Sequence, residues 1–197
     1  MRLSLAGLPG KTLLCVNHSR DDPAAATGRE NCGLMTAPLH VIAGLGSGQL
    51  ATIAHPRQDA WPAERLGELA DTGVSVLVSA LTTAEQERLG LSDTAEAAAE
   101  VGMDFIAFPA AEDAVPREEA TKVILLAGRL AANVRAGRFV VTQCFGGVGR
   151  STLLACTTLV LLGVGPADAL RRVTGGSDMP VTRDWLYDLA HQRTAPQ

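Results

Sequence analysis

The sequence has few aromatic side chains, with one Tyr, two Trp and four Phe, so its core must be built from Ala, Leu and Val. It also has no block of basic residues. Seventeen Lys and Arg stand against 21 Asp and Glu, a net charge of -4, which makes nucleic acid an unexpected partner. Long apolar runs are missing too. The opening MRLSLAGLPGKTLLCV is broken by Pro9, Gly10 and Lys11 before it reaches useful length, so neither a signal peptide nor a membrane span is expected. The four cysteines, Cys15, Cys32, Cys144 and Cys156, lack the paired spacing of metal ligands and the density of a disulfide scaffold. Reduced thiols in a cytoplasmic protein are expected, with no metal and no cofactor.

The composition itself is ordinary for a compact chain, at 47% hydrophobic and 19% charged residues, and 197 residues suffice for one domain with a real core. Residues 1–34 are rich in Gly, Pro, Asn and charge and show no period of either two or 3.6, so they read as a loosely ordered leader. The compact domain is expected over residues 35–197. LHVIAG and LATIA, separated by GSGQ, suggest a hairpin or a sheet edge. Pro62 suits a first helical position, and VSVLVSAL is apolar enough for a strand buried on both faces.

Two short helices, TTAEQERLG and SDTAEAAAEVG, each open on hydroxyl residues and close on glycine. The strand MDFIAFP follows, then a helix with Val123, Ala127, Leu130 and Val134 on one face, then the strand RFVVTQ. Beyond it LLACTTLVLLG is apolar nearly all round and so a central helix, with Cys156 in its core. PADALRRV and TRDWLYDLAHQ read as two closing helices, Trp185 and Tyr187 being packing residues. This alternation predicts an α/β fold with a central, largely parallel sheet flanked by helices.

The stretch QCFGGVGRST, Gln143 to Thr152, carries the chemistry, and it admits two interpretations. Its glycines resemble the GGVGKST loop of partitioning-type ATPases. A nucleotide loop, however, uses a compact lysine ammonium where this chain has Arg150, and Cys144 stands where the first glycine belongs. No strand is expected after residue 163 to supply a magnesium-binding Asp. GLPGKT at Gly7 to Thr12 fails as well, having Leu5 in place of the first glycine and no preceding strand.

Read from the cysteine, Cys144 and Arg150 form C-x5-R, delivered by an apolar strand and followed at once by an apolar helix. Glycines at 146, 147 and 149 let the backbone curl so that its N–H groups and the positive helix end face one bowl. A phosphate fits such a bowl, the same field favours a thiolate, and the guanidinium fork of Arg150 can grip two phosphoryl oxygens. Strand, CFGGVGRS and helix resemble the signature loop of the cysteine-dependent protein tyrosine and dual-specificity phosphatases. Upstream, FPAAEDAVP, Phe108 to Pro116, is similar to that superfamily's F-P-x-x-D-x-x-x-P acid loop.

The resemblance covers roughly residues 37 to 190 in order of elements and implies a two-step reaction. Cys144 attacks phosphorus, an upstream acid protonates the leaving group, and water then hydrolyses the phosphocysteine with the same carboxylate as base. It assigns phosphate binding to Phe145, Gly146, Gly147, Val148, Gly149 and Arg150, and thiolate stabilisation to Ser151. The acid's position is held by Glu112, which is preferred, with Asp113 beside it as the other choice.

Besides Glu112 in place of the acid loop's Asp, two features depart from the superfamily. Gln143 replaces the usual His before the cysteine; it can hydrogen-bond but not become cationic, so slower turnover is expected. The late-helix Gln that positions the hydrolytic water is matched only by Thr182 or Arg183 near Trp185. Arg57 in AHPR is a low-ranked candidate for a phosphate or substrate contact. With no lysine inside the loop, a singly phosphorylated substrate, a phosphotyrosyl protein or peptide above all, is expected rather than a phosphoinositide. The alternatives are a catalytically weak phosphate-binding pseudophosphatase and, behind it, the nucleotide-binding protein; arsenate reduction would require a resolving thiol besides Cys144.

Overall fold

The computed structural model describes residues 39–55, 63–109, 119–145, 149–177 and 179–194. The leader and Pro62 lie outside these. Two short strands come first, β1 (Leu39–Ile42) and β2 (Gln49–His55), antiparallel and joined through the glycine-rich turn, so the expected hairpin is present with β1 on the sheet edge. Gly48 is required at its return. A Cβ there would lie 2.0 Å from the Val134 carbonyl oxygen, so only a residue without one lets β2 start against the end of the long helix.

Helix α1 (Ala63–Asp71) leads to β3 (Val74–Ser79), whose apolar run is buried nearly throughout. Two short helices, α2 (Thr83–Arg88) and α3 (Thr94–Glu100), precede β4 (Asp104–Ala107). Both end near glycines as expected, but only α2 has a hydroxyl cap; the N-cap of α3 is Asp93, whose side chain makes no capping bond. Helix α4 (Ala120–Arg135) then crosses to β5 (Phe139–Phe145), followed by α5 (Arg150–Leu161), α6 (Pro166–Thr174) and α7 (Pro180–Thr194).

The sheet order is β1-β2-β5-β3-β4, with every pairing parallel except β1 with β2. Strand β5 therefore lies in the middle, between β2 and β3. One face of the sheet is covered by α4, α5, α6 and α7 through Val123, Leu130, Leu154, Leu159, Val173 and Leu186. The other face packs on α1 and α3 through Leu66, Leu69 and Ala98. Burial on both faces suits the mostly apolar sequences of β3 and β5, whereas the edge strand β1 carries the exposed His40. Cys156 is fully buried in this core, as expected, and burial pushes its thiol up to about 12. Tyr187 differs from expectation: it is exposed on α7, whereas Trp185 packs against the core.

Candidate active site

The carboxyl end of a central parallel strand is where α/β sheets hold ligands, because helix N-termini and loops converge there. Strand β5 carries Cys144 to that end, and the described chain resumes at Gly149, the N-cap of α5. Gly149 has φ 106° and ψ -99°, a backbone conformation that effectively requires glycine. The Leu153 N–H donates to its carbonyl at 2.8 Å, so the helix begins abruptly at this residue.

The abrupt turn places Ser151 against the cysteine, with Cys144 Sγ and Ser151 Oγ 2.9 Å apart. Both side chains are fully buried. A serine hydroxyl next to a sulfur can donate to it when the sulfur is anionic, which is the role the signature assigns to Ser151. Thr142 steadies the junction from below by donating to the Ser151 carbonyl at 3.4 Å.

Arg150, 9% exposed, opens the same helix and is held from β3 and α2. Its Nη1 donates to the Ala80 carbonyl at 2.9 Å and to Glu85 Oε2 at 2.7 Å, while Nη2 donates to Glu85 Oε1 at 2.8 Å. Glu85 is also the third residue of an α2 capping box: its carboxylate accepts from the Thr82 backbone N–H at 2.8 Å and from the Thr82 hydroxyl at 3.0 Å. The end of the guanidinium fork is thus bidentate with Glu85.

These hydrogen bonds, that from the Arg150 guanidinium foremost, outweigh burial and hold the Glu85 carboxyl well down, at about 2. A carboxyl depressed by folding contributes stability above its ordinary range and loses it as pH falls toward the folded value. Acid titration monitored by circular dichroism should therefore cost the protein about 3 kcal/mol between pH 4.5 and 2 through this one group. The Glu85→Gln variant should lack that share of the slope.

The last residues of β3 tie the pieces together. Ala80 N–H donates to the Gln143 carbonyl at 2.9 Å, Phe108 N–H donates to the Ser79 carbonyl at 2.8 Å, and Gln143 Nε2 donates to Ser79 Oγ at 3.2 Å. The Ser79–Ala80 segment thereby touches the cysteine strand, the arginine and Phe108, the first residue of the FPAAEDAVP stretch. Gln143 is 1% exposed, and its Oε1 has no hydrogen-bond partner among the described residues. A buried orphan acceptor is costly and uncommon.

Of the expected site residues, the structure brings together Cys144, Gly149, Arg150 and Ser151. Phe145 is described only as the last residue of β5. Gly146, Gly147, Val148, Glu112, Asp113 and Arg57 lie outside the described residues. Thr182 is buried in α7. Glu85 and the Ser79–Ala80 segment were not foreseen. The spacing T-x-x-E in TTAE signals a capping box, but nothing in the sequence connects it with an arginine 65 positions away.

A five-stranded, mostly parallel sheet whose central strand passes a cysteine to an arginine-headed helix has the fold of the cysteine-dependent tyrosine and dual-specificity phosphatases. Similar solved structures are kinase associated phosphatase (KAP) with serine in place of its catalytic site cysteine, at 18% identity and TM-score 0.67, covering 82% of this chain and 98% of that one. Tk-PTP in its active form is similar at 20% identity and TM-score 0.61, covering 78% and 97%. A human DUSP28 variant is similar at 17% identity and TM-score 0.55, covering 79% and 96%. No family model matches the sequence, and no curated protein sequence matches it. After α5 the described residues form the helices α6 and α7 and no strand.

Proposed function

We propose that this protein hydrolyses phosphomonoesters, protein phosphotyrosine foremost, through a phosphocysteine on Cys144. The observation that carries this reading is the 2.9 Å contact between Cys144 Sγ and Ser151 Oγ at the head of the helix that Arg150 opens. The Cys144 thiolate attacks phosphorus as the bond to the leaving oxygen breaks, and the acid loop, through Glu112 or Asp113, gives that oxygen its proton. Arg150 and the loop amides of residues 145–149 balance the charge on the phosphoryl oxygens in the transition state.

In the second step water attacks the phosphocysteine, its proton passing to the same carboxylate, and inorganic phosphate leaves. Ser151 donates its hydrogen bond to the departing thiolate. Glu85 belongs to this machinery as a positioning residue, because it fixes the plane and direction of the Arg150 fork before substrate arrives. The solved structures with this fold that are named as phosphatases support the reading. No helix among the described residues is long and apolar enough to cross a membrane.

One observation favours a second reading, a phosphate-binding protein with little turnover: the orphaned Gln143 Oε1, a neutral and unsatisfied acceptor on the residue next to the nucleophile. An assay of phosphotyrosyl and phosphoseryl peptides across pH separates the two. Phosphate release from the phosphotyrosyl peptide in preference to the phosphoseryl one is the expected result. Saturable phosphate binding without release from either peptide would establish the binder instead.

A further inference from the structure

Helices α4 and α7 both pack against α5, and a cleft of about 410 Å³ lies between them, its described lining being Ala120, Ile124, Trp185, Asp188, Leu189 and Gln192. That volume falls within the range of pockets that take small ligands or a few side chains. Its walls are apolar and one of them is fixed: Trp185 Nε1 donates to Thr157 Oγ1 at 3.1 Å, and Thr157 in turn donates to the Leu153 carbonyl at 2.7 Å. The indole is therefore anchored from below by its polar edge, and its ring is held as a rigid side of the cleft rather than free to collapse into it.

Among the described residues that line the cleft, one is charged, Asp188. Asp188 lines the cleft, is exposed, and has no ion-pair partner among the described residues. Asp184 lies one helical turn earlier, extends the same edge, and reaches Arg183 only at 3.5 Å, with 74% of its own side chain exposed. On the α4 side Glu119 meets Lys122 at 3.9 Å, and no Lys or Arg is among the described lining residues. An aromatic ring and a carboxylate facing a common apolar space suit a cation on an aliphatic stem, which gains from the ring's negative face, from the carboxylate and from burial of its methylenes.

We infer that this cleft is a docking site for a polypeptide segment that presents an arginine or lysine beside aliphatic side chains. The aliphatic groups enter between Ile124 and Leu189, and the cation rests against Trp185 and Asp188. Gln192 supplies an amide at the rim for the backbone of the same segment. The site is independent of the chemistry at Cys144 and stands whether or not the protein turns over phosphate.

The test is binding, read at the Trp185 indole N–H by heteronuclear NMR on the full chain, with the resonance assigned through Trp185→Phe. The probe is an acetylated, amidated peptide of alternating leucine and arginine, and the control is its leucine–glutamate counterpart. The arginine peptide should shift the indole resonance saturably, the glutamate peptide should not, and Asp188→Asn should weaken binding by roughly three- to tenfold. Asp188 is exposed, so the variant should fold normally, which its amide spectrum will show. The inference is overturned if the arginine peptide leaves the indole unmoved, if both peptides bind alike, if Asp188→Asn binds as tightly as the parent, or if the resonance moves with protein concentration alone, which would make the occupant a second copy of the chain.

Discussion

Replacing Cys144 by serine is expected to reduce turnover of a small aryl phosphate by about 10⁴-fold or more, with binding of inorganic phosphate retained. The hydroxyl that replaces the thiol is a far weaker nucleophile and stays protonated, while the rest of the bowl is untouched. Volume and polarity change little, and the site is fully buried next to Ser151, so the fold should survive. Calorimetric titration with phosphate and a progress curve with the aryl ester, run on the same preparation, check both halves. Loss of binding together with turnover would mean that the substitution had disrupted the loop rather than the chemistry.

The second large effect is on Glu85. Truncation to alanine leaves the Arg150 guanidinium, 9% exposed, facing an empty space where a bidentate carboxylate stood. Breaking one side of a buried ion pair costs about 3–5 kcal/mol, because the remaining charge stays buried without its counter-charge. For a domain of this size that should lower the melting temperature by roughly 8–15 °C. It should also lower kcat/KM, since the arginine fork loses the partner that aims it. Combining Glu85→Leu with Arg150→Met removes both charges, and much of the stability should return while activity does not. Thermal denaturation of the single and double variants, read beside their activities, separates the structural part of the pair from its functional part. If Glu85→Ala melts with the parent protein, the ion pair does not hold Arg150 in solution.

The elements that could be read from the sequence are those whose pattern is local. The apolar runs of β3 and β5, the 3-and-4 spacing of α4 and the glycine-rich return between β1 and β2 each encode their own geometry, and the alternation of elements was enough to foresee a mainly parallel sheet. The nucleophile, the arginine and Ser151 were visible for the same reason, being seven or fewer positions apart. What stayed hidden depends on sheet order. Strand β3 lies beside β5 although α4 and β4 intervene in the chain, and only that adjacency brings Ala80 and Glu85 to Arg150. The capping-box spacing explains why α2 starts just after Thr82, yet the second task of its glutamate is a tertiary fact. Tyr187 failed for a related reason: the pattern of α7 alone does not say which of two aromatic residues two positions apart faces α5.

Gln143 is the point at which the fold and the proposed chemistry pull apart. Its amide replaces an ionisable group with a neutral one and leaves an oxygen buried without a donor. On the proposed mechanism the Cys144 thiolate then gains no cationic neighbour at position 143, so the chemical step is expected to be slow even if phosphate binds well.

The central claim is that Cys144 becomes phosphorylated during turnover. Rapid acid quench of the protein with an aryl phosphate, followed by proteolysis and mass spectrometry of the peptide carrying Cys144, tests it directly. The account predicts a phosphoryl group on the Cys144 sulfur that is absent from the Cys144→Ser variant and disappears as substrate is exhausted. Turnover that proceeds with no phosphoryl group on this peptide, or that persists undiminished in Cys144→Ser, would contradict it.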